Sequence, residues 1–157
     1  MAEDLNIIQG TKEEQYLELI PQIAGILEGE TDLVASFANI SAALKQQFSW
    51  LWVGFYIVKG DELVVGPFQG PVACTRIKKG KGVCGAAWDQ KKTFIVDDVN
   101  LFPGHIACSS LSKSEIVLPF IQNEEVIFVL DIDHTVYAAF DITDELFLKE
   151  ILSLIHL

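Results

Sequence analysis

The chain has 157 residues, half of them apolar and 21% charged, which is the balance of one folded domain and not of a disordered segment. Eleven Lys and Arg against 22 Asp and Glu leave a formal net charge of −11, a field that repels phosphate backbones and anionic headgroups, so nucleic acid and membrane surfaces are excluded as partners. The opening MAEDLNIIQGTKEEQ is acidic where a secretory leader is basic, and no apolar run reaches the roughly 18 residues of a membrane span, so the expected compartment is cytoplasmic.

From Lys12 to Phe48 apolar residues recur at intervals of three and four: Tyr16, Leu19, Ile20, Ile23, Ile26 and Leu27, then Leu33, Phe37, Ile40, Ala43 and Leu44. The spacing predicts two amphipathic helices broken near EGET, with Gly29 ending the first and Thr31 capping the second. WLWVGFYIV (50–58) is aromatic and β-branched, and ELVVGPF (62–68) follows after KGD, which predicts two strands joined by a tight Gly-Asp turn. On the first of them Trp50, Trp52, Gly54 and Tyr56 are expected on one face, suited to a core or to the wall of a small-molecule pocket.

VACTRI (72–77) reads as a short strand or extended loop, GVCGAAWDQKK (82–92) as a short helix and TFIVDDV (93–99) as a strand. LFPGHIACSSLSKSEI (101–116), rich in Pro, Gly and Ser, opens as a loop. SEIVLPFIQ and EVIFVLDID are two strands linked by NEE, and TDELFLKEILSLI is a closing helix started at Thr143. The fold class is α+β, one domain over residues 1–157, with helices at both ends around a central, mainly antiparallel sheet.

Chemistry-bearing residues are few. GKGVCG (80–85) matches G-x-G-x-x-G, but no acid stands about 20 residues further on and no βαβ unit follows, so no nicotinamide cofactor is expected. Cys74, Cys84, Cys108 and His105 lack the C-x2-C spacing that places two zinc ligands on one turn, so no metal is expected either. In a reducing compartment any pairing among the three cysteines is transient and chemical. A lone cysteine is most often inert packing, yet Cys108 follows a Pro-Gly turn and precedes hydroxyls and backbone N–H groups able to stabilise a thiolate. His105 stands three residues before it, either as a base or as a cap on a backbone carbonyl. Asp131 and Asp133 are two residues apart at a strand end and share a face; solvated, they are ordinary, but buried they need a cation, a shared proton or donors.

WVGFYI, GPFQGPVACTRI, GKGVCG, FPGHIAC, SKSEIV and VLDID, in that order over nearly the whole chain, resemble the free methionine-(R)-sulfoxide reductases, single-domain members of the GAF fold. The resemblance implies a six-stranded antiparallel sheet, a small closed pocket, a homodimer, no cofactor, and reduction of free methionine (R)-sulfoxide at the expense of thioredoxin. It implies Cys108 as nucleophile, Cys74 as the resolving cysteine that forms a disulfide with it, and Cys84 as a third cysteine and alternate resolver. It also places Glu115, Asp131 and Asp133 at acidic substrate-binding positions and Trp52 and Tyr56 on the aromatic side of the pocket. Ser109, Ser110, Phe128 and His134 depart from the family pattern, Phe128 on the face opposite the acids. The competing reading is a GAF sensor that binds a small molecule without catalysis.

Overall fold

The computed structural model describes residues 4–106 and 108–157. In chain order the elements are α1 (Lys12–Leu27), α2 (Leu33–Phe48), β1 (Trp52–Lys59), β2 (Glu62–Gln69), β3 (Arg76–Lys78), α3 (Gly82–Gln90), β4 (Phe94–Val96), a short 3-10 turn (Val99–Leu101), β5 (Ser114–Gln122), β6 (Glu125–His134) and α4 (Ile142–Ser153). The six strands form one sheet in the order β3-β2-β1-β6-β5-β4, and every neighbouring pair is antiparallel. This is the expected α+β arrangement.

Local signals account for most boundaries. Thr11 accepts from the Glu14 amide while the Glu14 carboxylate accepts from the Thr11 amide, a reciprocal cap that starts α1. The second helix is capped by Asp32 and not by Thr31, because the Glu30 carboxylate already takes the Thr31 and Asp32 amides and leaves the Asp32 side chain free to accept from Ala35. Likewise Asp141, not Thr143, caps α4: its side chain accepts the Thr143 amide, and Asp144 completes a second capping box. The β1–β2 turn is Gly60-Asp61, with Gly60 at φ 66°, as expected. The β5–β6 turn is the two residues Asn123 and Glu124, both left-handed, so Glu125 belongs to the strand. The strand in VACTRI is confined to Arg76–Lys78, and the one in TFIVDDV to Phe94–Val96.

The sheet separates two apolar clusters. On one face α1, α2 and α4 pack against Val53, Phe55, Ile116, Leu118, Phe128, Leu130 and Ile132. On the other, α3 and the neighbouring loops pack against Trp52, Tyr56, Val117 and Val129. Period-2 alternation along β6 therefore sends Phe128, Leu130 and Ile132 to the helical layer and Asp131 and Asp133 away from it. Trp50 does not share a face with Trp52 and Tyr56. Pairing begins only at Trp52, Ser49 turns the chain through a left-handed conformation, and Trp50 stacks on Phe48 with centroids 4.3 Å apart in the helical core.

A buried polar knot ties α1 to α4. Asp144 is fully buried; it accepts from the Tyr16 hydroxyl at 2.8 Å and from Lys12 at 2.5 Å, and Lys12 also reaches Asp141 at 3.0 Å. Removing the cation leaves a buried carboxylate short of its partner, whereas removing the hydroxyl deletes one neutral donor. Lys12→Met is expected to cost about 3 kcal/mol and Tyr16→Phe about 1 kcal/mol. Urea unfolding followed by circular dichroism checks the order; a larger loss in Tyr16→Phe contradicts it.

Candidate active site

Strand register assembles the acids. The β5–β6 ladder sets Glu115 opposite Asp133 and Val117 opposite Asp131, while β1 sets Gly54 opposite Asp131 and Trp52 opposite Asp133. Gly54 is required here: a Cβ would stand 2.3 Å from Phe68 Cβ and 2.6 Å from the Trp52 ring, which lies across it. Glu115 and Asp131 are 5% and 6% exposed and Asp133 is half-buried, so the solvated-strand-end reading of the Asp pair does not hold.

Burial, and then mutual repulsion, push the Glu115 and Asp131 carboxyls well above the ordinary carboxylate range. Burial raises Asp133 as well, against the Ser112 hydroxyl that hydrogen-bonds its carboxylate and the nearby His105. Mutual repulsion opposes ionising all three together, so burial and the neighbouring charges favour their protonated forms.

The thiols converge on the same pocket. Cys74 and Cys108, 34 residues apart, are joined by a disulfide with their Cα atoms 5.7 Å apart. The Cys74 segment is held by the Tyr56 hydroxyl, which donates to the Cys74 carbonyl at 3.0 Å, and by Trp52 Nε1, which donates to the Pro71 carbonyl at 3.1 Å. Cys108 sits on the exposed loop after the Gly104 turn, whose left-handed backbone brings the His105 amide back to the Phe102 carbonyl. Cys84, near the start of α3, is a free thiol 3% exposed. Burial, followed by the charges of Asp131 and Glu115, pushes this thiol up.

Cys74 and Cys108 stand at the pocket and Cys84, Glu115, Asp131 and Asp133 line it, with Trp52, Tyr56 and Ile77 as an apolar wall; the cavity measures about 570 Å³ including its open mouth. Every site residue expected from the sequence therefore lies in or beside one cavity. His105, Ser109 and Ser112 line it too. His105 turns its ring toward the acids, with Nε2 3.6 Å from Glu115 Oε2. Ser112, which no sequence signal singles out, hydrogen-bonds Asp133. Ser109 also lines the pocket, with its Oγ accepting from the Leu111 amide at 3.2 Å, and Phe128 lies in the opposite core.

A six-stranded antiparallel sheet carrying a small-molecule pocket on one face, closed by α3 and a long loop, defines a GAF domain, and the GAF domain family matches residues 30–157. The chain is 60% identical over 156 residues to GAF domain-containing protein A of Dictyostelium discoideum, covering 99% of both. It is 43% identical to the free methionine-R-sulfoxide reductase of Escherichia coli, covering 90% of this chain and 87% of that one. The crystal structure of the free methionine-R-sulfoxide reductase from Neisseria meningitidis in complex with its substrate superposes with a TM-score of 0.94 at 50% identity, covering 98% of this chain and 93% of that one. Within the GAF class the chain belongs to the free methionine-R-sulfoxide reductase family.

Because the folded pKa values of Glu115, Asp131 and Asp133 are raised, the fold binds more protons than the unfolded chain above pH about 4. The contribution of these three groups to stability is therefore greatest below the unfolded carboxyl pKa and is lost as pH rises through the folded values. Asp131→Asn is expected to raise the melting temperature of the oxidised protein by several degrees at pH 8 and by little at pH 4. Parallel melting-temperature curves for the two proteins across that range contradict the cluster's electrostatics.

Proposed function

We propose that the protein reduces free L-methionine (R)-S-oxide to L-methionine by a dithiol mechanism, with Cys108 as nucleophile and Cys74 as resolving cysteine. The observation that carries this reading is the Cys74–Cys108 disulfide at the mouth of a pocket lined by three buried acids. A solved relative with the same fold holds its substrate, and that relative is a free methionine-R-sulfoxide reductase.

The Cys108 thiolate attacks the sulfoxide sulfur, and the sulfur–oxygen bond breaks with the oxygen passing to Cys108. Methionine departs, and a sulfenic acid remains. A carboxyl kept protonated by burial and by its charged neighbours protonates the sulfoxide oxygen during attack; Glu115 and Asp131 meet that requirement. An ionised member of the same cluster pairs with the substrate ammonium, whose burial is costly without a counter-charge. Asp133 suits that role, since Ser112 and His105 favour its charged form. An ammonium is present on the free amino acid and absent from methionine inside a chain, so the same contact selects the substrate. Trp52 and Tyr56 supply apolar wall for the thioether carbons.

The Cys74 thiolate then attacks the sulfenic sulfur, the sulfur–oxygen bond breaks, and the hydroxide leaves as water with a proton taken from solvent as the disulfide closes. Tyr56 holds the Cys74 segment within bonding reach of Cys108. Cys84 is the slower alternate resolver, because a buried thiol with a raised pKa offers little thiolate. An external dithiol of the thioredoxin class resets the enzyme by exchange, which suits a cytoplasmic location. The partly accessible Cys108 loop gives that dithiol its approach. The reading includes a homodimer, for which Leu17 on α1 and Val34 on α2 offer exposed apolar side chains.

Methionine release tests the roles of the thiols. Cys108→Ser is expected to release none, and Cys74→Ser about one equivalent before stalling while Cys84 resolves slowly. Sustained turnover of Cys108→Ser with a thioredoxin system contradicts the assignment.

A further inference from the structure

Cys84 enters no covalent step of the main cycle, yet its thiol lies deep in the pocket beside two of the acids. One donor atom from each of Cys84, Glu115 and Asp131 lies within 4.8 Å of the other two, and all three side chains are buried. Independently, Oδ1 of Asp131 has no hydrogen-bond partner among the described residues, although the residue is only 6% exposed. A buried carboxylate oxygen without a donor is an unfilled coordination position.

We propose that Cys84, Glu115 and Asp131 form a binding site for a thiophilic divalent cation of the zinc class on the floor of the substrate pocket, and that the bound cation excludes the substrate. Ligand atoms 2.0–2.3 Å from a tetrahedral zinc ion stand roughly 3.5 Å apart, so a set already within reach needs only small side-chain adjustment. His105 Nε2, 3.6 Å from Glu115 Oε2, stands at such a separation and can complete the set; otherwise a water from the pocket fills the fourth position. The thiolate together with carboxylates favours zinc or cobalt over magnesium and calcium.

Proton balance is simple. The dication replaces the protons that the Cys84 thiol and the carboxyls hold, and these leave through the pocket mouth to solvent. No electron moves. The Cys74–Cys108 disulfide uses neither Cys84 nor the acids, so the site exists in the oxidised protein. The cation takes the Asp131 and Glu115 oxygens that the substrate also needs, which makes the two mutually exclusive. The exclusion rests on the proposed substrate site; cation binding itself does not.

The test uses oxidised protein, in which Cys74 and Cys108 cannot ligate. Zinc chloride is titrated against a chromophoric chelator, and cobalt chloride is followed by its near-ultraviolet thiolate-to-metal absorption. The expected result is one equivalent of either metal, a charge-transfer band with cobalt, and at least tenfold weaker binding in both Cys84→Ser and Asp131→Asn, whose folding is checked by circular dichroism. Absence of binding, or zinc binding unchanged in a folded Cys84→Ser, overturns the site. Methionine sulfoxide added to the zinc-loaded protein is expected to release the metal. Zinc retained while the reduced enzyme turns over the same sulfoxide overturns the exclusion.

Discussion

Glu115, Asp131 and Asp133 are held together by the β5–β6 ladder, in which register alone sets Glu115 against Asp133 and places Asp131 two residues away on the same face. Burial makes that arrangement costly to the fold, because each group loses hydration and repels the others. The chain tolerates it by keeping protons on the cluster and by giving Asp133 a hydroxyl donor from Ser112. The result is a pocket that stores unfavourable electrostatics until a cationic ligand relieves it, a common relation between stability and function. In the proposed mechanism both the substrate ammonium and the proton delivered to a leaving oxygen draw on this single constraint.

The rest of the fold makes the constraint affordable. The opposite sheet face is mostly apolar and packed under three helices, with Phe37 stacked on Phe55 at 4.0 Å and Phe120 on Phe128 at 4.6 Å. Alternation along β6 lets one strand serve both sides, sending Leu130 and Ile132 to the core and the acids to the pocket. Close approach is arranged by glycines at two points. Gly54 admits the Trp52 ring, and Gly85 lets α3 sit against the end of β3, where a Cβ would lie 2.5 Å from the Lys78 carbonyl. Tyr56 and Trp52 then use their polar ends to hold the Cys74 segment beside the loop that carries Cys108.

Strong periodicity made the helices and the two long strands legible: α1, α2 and β5 run where the apolar spacing puts them, and the shared face of Asp131 and Asp133 follows from strand period alone. Helix caps were less legible, since Thr31 and Thr143 are good capping residues whose neighbours Asp32 and Asp141 compete for the same amides. Trp50 was misplaced because alternation holds only inside the paired strand. The thiol pairing is a matter of tertiary contact across 34 residues, which spacing cannot reveal; family motifs supplied it, and the geometry agrees. Ser112 carried no signal, as a serine in a serine-rich loop is distinguishable only by the carboxylate it meets.

The chemistry of the cluster predicts selectivity for a compact amino acid with its own ammonium, and likeness to the methionine-R-sulfoxide reductases adds the R configuration at sulfur. Methionine release, or loss of sulfoxide, is measured with a thioredoxin system on four substrates in parallel: the R and S sulfoxides of free methionine and the same two epimers within a short peptide. The account predicts rapid reduction of the free R epimer and at least a hundredfold lower kcat/KM for the other three. Comparable reduction of the peptide-bound R epimer would contradict it, because a pocket built around buried acids would then have no use for the ammonium.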